Sequence, residues 1–158
     1  MKILRTFAVA ALCLGIFPLP VRAEPLPDTL NEWRATALHS TELNVASEDM
    51  GTWYSGTYSR SAPAASVEVN LMEGPGAGSL YIPDNGGRTN DAPLGFSSTY
   101  ETLDIAGKRA ILERGEVTGQ ALAVALDKNR TLTLESKSLN TEELLDFADR
   151  LVRTLQTK

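Results

Sequence analysis

From Gln120 to the C-terminus the chain alternates cleanly between large and small side chains. In Ala121–Leu126, Leu122, Val124 and Leu126 share one face and three alanines share the other, which is the period of a strand. Asp127-Lys128-Asn129-Arg130 is polar and turn-prone, and Thr131–Glu135 resumes the alternation with leucines on one side. A helix is expected next. Asn140 suits the N-cap, Glu143 completes a capping box, and Leu139 can staple onto Leu144. Leu144, Phe147, Ala148, Leu151 and Leu155 then keep helical spacing, so one apolar stripe can lie on the sheet.

Upstream the pattern is less even. Asp28 or Thr29 can cap a short N-terminal helix running through Glu32, Trp33 and Arg34. Ala35 to Gly51 is weakly patterned and is expected to be mostly loop, with one short strand over Glu42 to Val45. Thr52 to Arg60 reads as a strand with Tyr54 and Tyr58 on one face and Trp53 and Thr57 on the other. After a turn at Ser61–Ala64, Ala65 to Met72 returns with Val67, Val69 and Leu71 inward. Glu73 to Ser98 is a long Gly/Pro-rich loop in which only Leu80-Tyr81-Ile82 has strand character. Strands over Thr99–Ile105 and Arg109–Arg114 lead into the C-terminal stretch. The expected fold class is α+β: a single, mainly antiparallel sheet of five to seven strands in hairpin order, with the C-terminal helix packed on one face.

Residues 1–23 read as a secretory signal peptide. Lys2 and Arg5 precede an apolar run from Thr6 to Phe17, Pro18-Leu19-Pro20 breaks it, and Val21-Arg22-Ala23 offers a cleavage site. The run is shorter than the roughly 20 residues needed to span a bilayer, so no stable membrane insertion is expected after cleavage. Cys13 sits inside the apolar run behind Leu12, which does not suit lipid attachment. Residues 24–158 then form one domain of a periplasmic or secreted protein. Of the 15 Lys and Arg, three lie in the leader, which holds no acid, so 12 bases face 20 acids beyond it, a net of −8. That balance argues against nucleic acid as a partner. The domain holds no cysteine, which removes disulfides and thiolate catalysis.

Candidate chemistry is sparse. His39 is the sole histidine, and no Gly-x-Ser-x-Gly elbow accompanies it, so it reads as a surface residue rather than a triad member. Gly74-Pro75-Gly76-Ala77-Gly78-Ser79 lacks the third glycine and the following helix of a dinucleotide cradle. Asp84 to Asp91 offers oxygen ligands, but Gly86 and Arg88 break the alternation a calcium loop needs, and no closing Glu is present. The pairs Glu48-Asp49 and Glu142-Glu143 nominate no catalytic cleft, and the second suits the first turn of a helix. Asn129-Arg130-Thr131 fits the N-glycosylation pattern but reads as a hairpin turn.

Aromatics therefore lead the functional reading. Trp33, Trp53, Tyr54, Tyr58, Tyr81, Phe96 and Tyr100 come from the first two thirds of the chain, where several could line an uncovered sheet face as a shallow groove. Trp53, Tyr54, Tyr58, Tyr81, Arg88 and Phe96 are the candidate contacts for a small ligand or an envelope protein. No cofactor and no metal is expected. The expected function is that of a small exported binding or accessory domain without catalysis. The alternatives are an envelope protein-interaction domain, and a hydrolase whose carboxylates gather only in the fold.

Overall fold

A computed structural model describes residues 25–46, 48–78, 80–89, 97–115 and 117–157. Nine strands and one helix follow in the order β1 (Thr29–Leu30), β2 (Trp33–Val45), β3 (Glu48–Ser61), β4 (Ala64–Glu73), β5 (Gly87–Thr89), β6 (Ser98–Ile105), β7 (Lys108–Gly115), β8 (Gly119–Asp127), β9 (Arg130–Ser136) and α1 (Thr141–Gln156). All nine strands belong to one sheet in the order β1-β2-β3-β4-β9-β8-β7-β6-β5, and every pairing is antiparallel. Two meanders thus meet at β4 and β9 in the middle of the sheet.

This topology explains the long Gly/Pro-rich segment. The chain leaves β4 at the centre and must reach β5 at the far edge, five strand positions away, or roughly 24 Å at the usual spacing between strands. A single 3-10 turn at Pro75–Ala77 starts that crossing. Leu80-Tyr81-Ile82 is not a strand: Ile82 is buried, while Tyr81 is 84% exposed.

The core lies on one face. Val67, Val69 and Leu71 of β4, Leu132 and Leu134 of β9, Leu122, Val124 and Leu126 of β8, and Leu112 of β7 are buried in one cluster with Leu144, Phe147, Ala148, Leu151, Val152 and Leu155 of α1. The helix starts where the sequence places it. Asn140 Oδ1 accepts from the Glu143 N–H at 2.9 Å, and Glu143 Oε2 accepts from the Asn140 N–H at 3.3 Å, closing the capping box.

Three expectations are corrected. The sheet has nine strands rather than five to seven, and among the described residues no N-terminal helix forms. Leu30 and Trp33 are three apart, as on a helix, yet they pair across a two-residue turn in which Asn31 takes a positive φ of 53°. Both are buried, so the same spacing serves a hairpin. Ala35 to Gly51 belongs almost wholly to β2 and β3. Its weak pattern has a physical cause: alternation is written only where one face is buried, and Ser40, Thr41 and Glu42 are exposed in succession. A β-bulge at Ala37 (φ 51°) further breaks the period of two between Thr36 and His39. The proposed leader, Cys13, Phe96 and the Asn90-Asp91 end of the oxygen-rich stretch lie outside the described residues.

Candidate binding face

The face of the sheet opposite α1 is read from the register. One row of directly opposed residues runs His39, Ser55, Asn70, Thr133, Ala123, Ile111, Thr102 from β2 to β6. A second, one step along the strands, runs Thr41, Trp53, Met72, Thr131, Ala125. The third runs Thr57, Glu68, Glu135, Ala121, Glu113, Tyr100. These are the positions that alternate with the core residues of the same strands, so the leucine-in pattern of β4, β8 and β9 fixes which side chains the face displays. Its floor consists of small groups, above all Ala121, Ala123 and Ala125 of β8 and Thr131 and Thr133 of β9.

Two features rim this floor. On one side stands Trp53, 41% exposed, with its indole N–H donating to Asn70 Oδ1 at 3.1 Å. The segment from Leu80 to Asp84 stands on the other. Thr102 Oγ1 donates to the Pro83 carbonyl at 2.7 Å, and Arg109 donates to the same carbonyl at 3.4 Å and to Asp84 Oδ1 at 3.0 Å. A hollow of about 520 Å³ lies between this segment, Arg109 and Ala125. Another of about 200 Å³ is lined by Ala37, His39, Ser55, Gly56, Thr57, Glu68, Val69 and Asn70.

The charge on the face is one-sided. Glu68 and Glu135 oppose each other directly on β4 and β9, and Glu113 follows two strands along the same row. Among the described residues none of the three takes part in a salt bridge, whereas Arg60, Arg109, Arg114, Arg130, Arg150 and Arg153 are all paired with acids. Like charges directly opposed weaken a sheet by a few tenths of a kcal/mol up to about 1 kcal/mol. Folding alone therefore gives no reason for this row.

The candidate residues divide. Trp53 stands on the face and Tyr81 projects beside it, while Arg88 is exposed on β5 at the far edge. Tyr54 and Tyr58 do not reach the face; both are buried in the core. Tyr58 donates to the Pro27 carbonyl at 2.6 Å and meets Phe147 edge-on at 5.4 Å. Burial, reinforced by the Asp28 charge, pushes its hydroxyl pKa well above the ordinary value. Trp33 is likewise internal, with the Arg60 guanidinium 4.9 Å from its ring centroid.

His39 and Ser55 are neighbours across β2 and β3, and Glu68 shares their hollow. No hydrogen bond links the histidine to either side chain, so nucleophile and base are adjacent without being coupled. Asp84 is committed to Arg109, and among the described residues no group of three acidic or histidine side chains could hold a metal ion. Asp49 Oδ1 accepts from the Gly51 N–H within β3, where its register with β2 shifts, and Asp127 holds Asn129 and Arg130 in the β8–β9 turn. Both are local backbone chemistry. Among the described residues no helix is long and apolar enough to cross a membrane.

No protein-family model matches the chain, and no curated protein and no solved structure is significantly similar to it. The glutamate row and the alanine–threonine floor were not singled out from sequence. Their one sequence signal was the set of three alanines sharing a face in the strand before the turn at Asp127.

Proposed function

We propose that this chain is an exported accessory domain without catalysis, and that its uncovered sheet face docks a protein surface bearing Lys or Arg beside an apolar contact. The single observation that supports the reading most is the asymmetry of the sheet. One face is sealed by α1, and the other presents a floor of alanine and threonine between Trp53 and the Leu80–Asp84 segment. A sheet face that no helix covers offers the broad contact area a macromolecular partner needs. The unpaired Glu68, Glu113 and Glu135 would complement basic side chains on the partner and orient it. The N-terminal pattern of residues 1–23 supports export.

The reading is tested by placing a photo-crosslinking amino acid at Ala123, at Trp53 and, as a control on the outer side of α1, at Glu142 in the producing organism. Adducts of one partner are expected from Ala123 and Trp53 and not from Glu142, and Ala123→Arg should abolish the Trp53 adduct. Equal adducts from all three sites, or none from the face, would contradict it. So would saturable binding of a small molecule that survives Ala123→Arg.

A further inference from the structure

The two edges of the sheet are finished differently. At the far edge β5 pairs with β6 from Ser98 to Tyr100, and Thr102 further along β6 binds the Pro83 carbonyl. At the near edge β1 covers only Trp33 and Arg34 of β2, with one further hydrogen bond from the Ala35 N–H to the Asp28 carbonyl at 2.8 Å. The chain before β1 does not continue along β2. Pro27 has no N–H to give to a ladder, its carbonyl is held by Tyr58, and Leu26 is buried in the core. From Thr36 to Val45, among the described residues, the outer side of β2 has no partner strand.

Natural edges of this length are blunted by lysine, proline or bulges, because their free N–H and C=O groups pair with any available strand. This edge holds no lysine and no proline. It has a register irregularity at each end, between Thr36 and His39 and between Leu43 and Asn44. A regular window, His39-Ser40-Thr41-Glu42-Leu43, is left between them. That window is self-complementary when paired antiparallel about a two-fold axis through Thr41. Thr41 would face Thr41 of the second copy, Ser40 would face Glu42, and His39 would face Leu43. No like charges oppose, threonine pairs are favourable across strands, and the serine hydroxyl can donate to the carboxylate. Because Thr41 lies beside Trp53 on the uncovered face, the axis would bring the two faces into one continuous surface.

We propose that the β2 edge is a self-association site, at which two copies of this chain join through His39–Leu43 into one extended sheet. The contact is isologous, as a two-fold interface must be, and the flanking irregularities confine it to a short window. The proposal stands apart from the docking face: a monomer could dock a partner, and a dimer could lack one.

The test uses the full chain, expressed with its own leader in a Cys13→Ser background so that an introduced thiol is the only one. Sedimentation of the otherwise unchanged protein should show mass rising from monomer to dimer over about 1 to 500 µM. Thr41→Cys should form a covalent dimer on mild oxidation at least about tenfold faster than Thr118→Cys, an exposed turn position. Thr41→Lys should stay monomeric with an unchanged circular dichroism spectrum, because it sets two like charges against each other at the axis. A monomer at every concentration, a dimer mass unaltered by Thr41→Lys, or equal crosslinking at positions 41 and 118 would overturn the proposal.

Discussion

Arg60 and Glu143 tie the helix cap to the sheet. Glu143 closes the capping box through Oε2, and its Oε1 accepts from the Arg60 guanidinium of β3. Arg60 in turn sits over the Trp33 ring. One carboxylate thus serves both the start of α1 and the docking of α1 on its strand. Arg60→Met and Glu143→Gln are expected to lower the melting temperature non-additively, the double variant being little worse than the worse single one. A thermal-melt cycle checks this, and additive losses would refute the coupling.

The same contact sets a pH dependence. The hydrogen bond from Arg60, followed by that from the Asn140 N–H, holds the Glu143 carboxyl below its ordinary value of 4.5. Arginine partners likewise lower Glu101, through Arg114, and Asp149, through Arg153. A depressed folded-state pKa contributes stability that is present above the unfolded value and lost as pH falls through the folded one. Melting temperature should therefore fall as pH drops below about 4.5, and Arg60→Met should shallow that fall.

Tyr58 governs the alkaline side. Its raised pKa means that the unfolded chain releases the phenolic proton first, so stability is present below pH 10 and declines as pH rises beyond it. Tyr58→Phe removes the bond to Pro27 and should cost about 1 kcal/mol at neutral pH. It should also flatten the alkaline decline, which urea titrations on both sides of that pH would measure.

The two faces of the sheet predict opposite tolerance. Leu134→Ala on β9 or Leu151→Ala on α1 removes a fully buried side chain and should cost about 2–5 kcal/mol. Thr133→Ala, one residue from Leu134 but on the uncovered face, should stay within about 0.5 kcal/mol. A large loss at Thr133 would mean that this face is packed.

Two glycines with positive φ differ in what surrounds them. Gly51 has φ +112°, and a Cβ there would collide with the Glu73 carbonyl, whereas Gly107 has φ +77° with nothing within 4 Å. Gly107→Ala should cost about 1–2 kcal/mol from the backbone alone. Gly51→Ala should cost more, because β4 must also move aside.

Legibility from sequence followed burial. The C-terminal strands, their turn, the capping box and the helical stripe were readable because each has one buried face that writes a period into the chain. The β2–β3 hairpin was not, since its outer end meets water on both sides and Ala37 shifts the phase. Of the candidate site, Trp53 was legible as facing away from Tyr54 and Tyr58. The grouping of Glu68, Glu113 and Glu135 was invisible, because strand order β4-β9-β8-β7 unites residues that no sequence spacing connects.

The central claim, a sheet sealed on one side by α1 and covered by no helix on the other, is tested most directly by its two tryptophans. Trp33 is 3% exposed beneath the helix, and Trp53 is 41% exposed on the uncovered face. In Trp53→Phe and Trp33→Phe variants, each leaving one indole, acrylamide should quench Trp53 strongly and Trp33 weakly. Equal protection of the two would contradict the account.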